Sequence, residues 1–143
     1  MKLTLDIQSM QTEYFTDVAL IGISSSVPDY RFCWLLNRCF NLKLARDMDS
    51  DIEVQTKGDT LVFPIYRYEI PLNGNRYLLY KLKSEKESLL PEIRQLDYLW
   101  MIQHGDAETE ASGLIRHLRN FAEVQLAQRI AVDKIRHLSN LII

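Results

Sequence analysis

Leu3, Leu5 and Ile7 alternate with polar residues, the two-residue period of a strand. The next apolar run, FTDVALIGI from Phe15 to Ile23, is almost continuous, which predicts a central strand covered on both faces. The period then changes. Phe32, Cys33, Leu36, Cys39 and Phe40 recur at helical spacing and form one apolar stripe in SSSVPDYRFCWLLNRCFN. Ser26 with Asp29 three residues on fits a capping box, with Pro28 in the first turn where its missing N–H is harmless.

The middle of the chain is strand-like. DIEVQT alternates, KGD turns, and TLVFPIYRYEI returns. Pro64 cannot donate a ladder bond, so its strand is expected at an edge or with a bulge. PLNGN is a turn, RYLLYKL the next strand, and KSEKES a charged loop. A second helix follows in HGDAETEASGLIRHLRNF. Asp106 suits its N-cap, Glu108 and Glu110 its first turns, and Arg116 and Arg119 its end, each sign opposing the macrodipole. Ala111, Leu114, Ile115 and Leu118 make its buried stripe. AEVQLAQRI reads as a last strand, while the tail VDKIRHLSNLII has no clear period. The order ββα-βββ-βαβ predicts one α+β domain over residues 1–143. It is a two-layer sandwich of a mostly antiparallel sheet with two amphipathic helices. The echo between IRHLRN (115–120) and IRHLSN (135–140) is too short to be a repeat.

Composition fits this picture. With 143 residues, 47% of them hydrophobic and 25% charged, the chain can bury a core without metals or disulfides. A net charge of −2 gives no general pull toward nucleic acid or anionic lipid, though a local basic patch is compatible with it. MKLTLDIQSM lacks the apolar core of a signal peptide. The run Val18 to Ile23 is too short to cross a bilayer, so no membrane association and a cytoplasmic location are expected. Cys33 and Cys39, six apart on a helix, point in different directions. Both are expected to be small buried hydrophobes rather than a disulfide or metal pair.

Trp34 falls opposite the apolar stripe of the first helix, among Tyr30, Arg31, Arg38 and Asn41. An aromatic flanked by arginines has the composition of an interface hot spot, with a second copy of the chain as the expected partner. It could also stack a base. The alternative is that the chain itself, its tail for instance, covers Trp34. GISSSVPD places small polar residues at a helix start, where an anion is favoured, but it has no phosphate-binding glycine pattern. Ser24, Ser25 or Ser26 would act as a nucleophile only if the fold supplied a histidine. His104, His117 and His137 lack the close spacing of a zinc site, and His117 is more simply a partner for the helix dipole. No metal, cofactor or catalytic residue is expected. Tyr66, Tyr68, Tyr77 and Tyr80 fit cross-strand aromatic pairs. With Arg67, Arg76 and Lys81 near them, an RNA-reading sheet is the competing possibility.

One stretch remains, LPEIRQLDY from Leu90 to Tyr98. Leu96, Tyr98, Trp100 and Ile102 would share one face of a strand, with Asp97, Leu99 and Met101 on the other. A helix with Leu89, Ile93, Leu96 and Trp100 inward fits almost as well. An aspartate beside so apolar a segment needs hydrogen bonds or a counter-charge. Glu92 could tie down the loop, or the two carboxylates could form an acid–base pair. The stretch resembles the signature of the bacterial IPExxxVDY family. Pro91, Glu92, Asp97 and Tyr98 match its fixed letters, while Leu90 and Leu96 replace isoleucine and valine. ALIGISSSVPDYRFCWLLNR and DYLWMI also resemble that family's early strand and helix and its late strand. The resemblance implies a small cytoplasmic protein and supplies no catalytic residue or cofactor. The functional expectations therefore rank as a non-enzymatic, homodimeric interaction module first. An RNA-associated accessory protein comes second, and a small enzyme using Glu92 and Asp97 third.

Overall fold

The computed structural model describes residues 13–85 and 87–143. The strand expected around Leu3, Leu5 and Ile7 lies outside them. Six strands form one sheet in the order β10-β1-β9-β6-β5-β2, with every neighbouring pair antiparallel. They are β1 (Val18–Ser24), β2 (Ala45–Arg46), β5 (Ile65–Glu69), β6 (Arg76–Lys81), β9 (Tyr98–Gln103) and β10 (Leu126–Ile130). Two further hairpins stand apart: β3 (Ile52–Thr56) with β4 (Asp59–Phe63), and β7 (Lys83–Ser84) with β8 (Glu87–Ser88). The helices are α1 (Asp29–Phe40) and α2 (Ala107–Leu118). The fold is α+β.

The continuous apolar runs lie at the centre. β1 and β9 pair from Val18 with Gln103 to Ile23 with Tyr98, and their residues are almost entirely buried. Alternation then divides the side chains between two cores. Ala19, Ile21, Ile23, Leu79, Tyr98, Trp100 and Ile102 meet the buried residues of both helices. Leu20, Leu78, Tyr80, Leu99 and Met101 meet the opposite cluster, on the side away from α1 and α2. Its cover includes Leu61 and Phe63 of β4, Leu89, Leu90, Ile93 and Leu96 of the signature segment, and Ile135 and Leu141 of the tail.

Several local expectations change. Pro64 neither sits within an edge strand nor makes a bulge. It ends β4, and the chain passes from the separate hairpin into the main sheet. Pro64 lacks an N–H, but its carbonyl still accepts from Lys81 N at 3.1 Å. The Ser26–Asp29 capping box does not form. Pro28 is the last non-helical residue and no side chain caps α1. Asp29 instead accepts a hydrogen bond from the Tyr66 hydroxyl at 2.6 Å. Asp106 precedes α2 as expected, but its side chain makes no cap. Cys39 is exposed, so only Cys33 is a buried thiol. Leu96 belongs to the turn before β9, and it joins the opposite core from Tyr98 and Trp100. The charged loop KSEKES holds the β7–β8 hairpin. The tail forms two short 3-10 turns, Val132–Lys134 and Leu138–Leu141.

Candidate functional site

The signature segment enters through a 3-10 turn, Pro91–Ile93, and then becomes β9. Proline suits the start of such a turn because the first N–H groups have no partner there. The fixed polar residues of the signature then reach two other parts of the chain, the tail and the connection after β1. Glu92 Oε1 accepts from the backbone N–H groups of Arg136 and His137, both at 3.2 Å, and its Oε2 lies 2.8 Å from His137 Nδ1. Burial alone would raise the Glu92 pKa. The His137 ring and these backbone donors outweigh it and hold the carboxyl below its usual range.

Asp97 lies at the mouth of β9. Its N–H donates to Ile23 O and its carbonyl accepts from Leu82 N, each at 2.9 Å, so its backbone continues the pairing on both sides. Its side chain turns to the loop after β1. Oδ2 accepts from Ser25 N at 2.8 Å and from Ser24 Oγ at 3.2 Å, and Oδ1 pairs with Lys83 Nζ at 2.9 Å. Tyr98 donates its hydroxyl to Val27 O at 2.6 Å and stacks its ring on Phe32, with centroids 4.6 Å apart. Burial first, then the charges of Asp29 and Asp97, push its phenol pKa well up, so it stays a neutral donor.

These contacts also settle the geometry of the serine loop. Ser25 N–H is taken by the Asp97 carboxylate, and Ser25 Oγ donates to Glu123 O at 2.6 Å. The anion held at this loop is a side chain of the same protein. No histidine contacts Ser24 or Ser25 through these bonds. Glu92 and Asp97 do not converge as an acid–base pair, because each is committed to backbone amides of a different segment. A cavity of about 520 Å³ beside them is lined by Lys83, Glu85, Glu87, Ser88, Pro91 and Arg94, and neither carboxylate lines it.

The outer face of α1 has a different character. Trp34 is 55% exposed and Tyr30 70% exposed. Arg38 Cζ sits 5.2 Å from the centre of the indole, and Arg31 is exposed on the same helix. The tail does not cover Trp34, since Ile135 and Leu141 are buried on the opposite side of the sheet. Cys33, on the inner face, has its thiol pKa pushed up to about 11 by burial and by nearby Asp29.

The tyrosines do not make an open sheet surface. Tyr66 and Tyr77 are almost fully buried under the helices, Tyr80 is fully buried on the other side, and Tyr68 stacks on Tyr77. His104 lies against Glu110, and its Nδ1 accepts from Asp106 N at 3.0 Å. Among the described residues, no group of three or more His, Cys, Asp or Glu side chains could hold a metal, and no helix is long and apolar enough to cross a membrane. The sequence pattern had singled out the signature and Trp34. It offered no sign of the tail's docking on Glu92, because that contact joins residues 44 and 45 apart. No family model, curated protein or solved structure matches the chain.

Proposed function

We propose that the chain is a non-enzymatic interaction module of the IPExxxVDY kind, and that it pairs with a second copy of itself through the outer face of α1. The observation that carries this reading is the exposed Trp34 with a guanidinium already over its ring. Tryptophan, tyrosine and arginine dominate the binding energy of protein interfaces. Tyr30 and Arg38 lie four residues to either side of Trp34. Two α1 helices crossing antiparallel at Trp34 bring Tyr30 of each copy opposite Arg38 of the other. Each cation then meets an aromatic ring, and the contact is self-complementary about a two-fold axis. The resemblance to the IPExxxVDY signature adds no reaction to this reading.

One face of a three-turn helix offers less than the roughly 800 Å² per partner of a standard interface, so the pair is expected to be weak. Equilibrium sedimentation over a rising concentration series tests this. The expected result is a reversible dimer that Trp34→Ala abolishes while shifting folding stability by no more than about 0.5 kcal/mol, because the indole is a surface group. Tyr30→Arg, which sets like charges opposite Arg38, should weaken pairing more than Tyr30→Ala. A wild-type chain that stays strictly monomeric at high concentration sinks the proposal.

A further inference from the structure

The shallow, open groove between α2 and the edge strand β10 offers about 580 Å³ and is lined by Ser112, Ile115, Arg116, Arg119 and Arg129. No carboxylate lines it, and three of its five residues are arginines, in a chain whose net charge is −2. The three guanidiniums are not equivalent. Arg129 is satisfied: it pairs with Glu108, and its Nη1 donates to Leu20 O at 2.6 Å. Arg119 donates Nε to Ala127 O at 3.0 Å, which orients its two Nη groups, and these have no partner among the described residues. The Arg116 side chain has no carboxylate or carbonyl partner among the described residues. Gly113, three residues before it, keeps space open, since a Cβ there would meet only Arg116 Nη2, at 4.0 Å.

Two cations three residues apart on one helix, facing one groove, repel each other. The negative end of the helix dipole offsets this only in part. A guanidinium fork matches the oxygens of a phosphate, and two forks at one site favour a doubly charged oxyanion over a single carboxylate. The volume lies in the range of small-molecule sites. No aromatic residue lines the groove, so it lacks the stacking platform that single-stranded nucleic acid uses. We propose that this groove binds a phosphate-bearing small molecule, with Arg116 and Arg119 holding the phosphate and Arg129 fixed beside them.

The test is titration of the intact chain at low salt with inorganic pyrophosphate and, separately, with adenosine 5′-diphosphate, followed by amide NMR shifts. Both probes should move the amides of residues 112–119 and 127–129. Arg116→Gln and Arg119→Gln should each weaken binding about tenfold, the expected loss for one charge-assisted bond. Arg116→Gln should leave the unfolding midpoint unchanged. Lys134→Gln, which removes an exposed charge elsewhere, should leave affinity unchanged. Tighter binding of the nucleotide assigns the site to an organic phosphate, and equal binding assigns it to the inorganic ion. Absence of any shift in the groove, or an equal loss from Lys134→Gln, overturns the proposal.

Discussion

Replacing Asp97 by alanine and by asparagine separates what its shape does from what its charge does. Ser25 is 3% exposed, and its N–H has the Asp97 carboxylate at 2.8 Å as acceptor. Alanine leaves that donor buried without a partner, which costs about 1–3 kcal/mol. It also releases Lys83, whose side chain is 43% exposed, and a pair so open to water contributes only about 0–1 kcal/mol. The Ser24 hydroxyl can rotate to water. Asp97→Ala should therefore destabilise by about 1–4 kcal/mol. Asparagine keeps an oxygen that can accept from both Ser25 N–H and Ser24 Oγ and gives up only the Lys83 pair, so Asp97→Asn should cost only about 1 kcal/mol. Urea unfolding followed by far-UV circular dichroism measures both. Lys83→Ala, run beside them, should cost less than about 1 kcal/mol. Equal losses for alanine and asparagine would show that the buried amide is not what Asp97 secures. A Lys83→Ala loss as large as that of Asp97→Ala would place the energy in the ion pair instead.

Two further outcomes follow from the same packing. Glu92 has a folded pKa below its unfolded value of about 4.3, so its contribution is complete above that value and is lost as pH falls through the lower folded one. Hydrogen exchange of the tail amides 136–142 should speed up across that acid window in the wild type but not in Glu92→Gln, and an unchanged acid response in the variant refutes the assignment. Gly22→Ala should destabilise by about 1–3 kcal/mol, because its Cβ would stand 2.4 Å from Leu96 Cδ1 and 2.9 Å from Ile130 Cγ1 in a filled core. The double variant with Leu96→Ala should lose less than the sum of the two single losses, and strict additivity in that double-mutant cycle rules out the clash.

What the sequence made legible is what repeats along it. The unbroken run of β1 announced a strand buried on both faces, the run of β9 fitted a helix almost as well as a strand, and the stripes of α1 and α2 announced helices on a sheet. Single residues whose partners lie far along the chain were not legible. Asp29 has the spacing of a capping residue, but Tyr66, 37 residues away, takes its carboxylate. Pro64 forbids a ladder bond, but nothing local says that the chain answers by changing sheets. The tail has no period because its 3-10 turns follow the shape of the opposite core, placing Leu141 under the Tyr80 hydroxyl, which donates to Leu141 O at 2.7 Å. Cys39 matched the apolar stripe in spacing and yet is exposed, while its neighbour Phe40 packs against the core. The serine loop and the signature each looked like a candidate site alone, and they prove to be one contact, with Asp97 supplying the anion that the loop holds.

That contact bears on the exposed face of α1. The chain runs from β1 through Ser24–Pro28 into α1, and two adjacent signature residues grip this connection at two points. Asp97 fixes the Ser25 amide, and Tyr98 fixes the Val27 carbonyl. The Tyr98 ring then stacks on Phe32, in the first turn of the helix. The start of α1 is thus set in height by two hydrogen bonds and in rotation by one stacked ring. Rotation decides which residues face outward. A helix turns 100° per residue, so a slip of one position would bring Cys33 or Leu35 toward the place of Trp34. Lacking a cap from its own sequence, α1 is held at its start by β9 together with the Tyr66 hydroxyl on Asp29. The fixed letters of the signature therefore act on the outer face without touching it. Tyr98→Phe keeps the stacked ring and loses one hydrogen bond, so it should leave the Trp34 face in place.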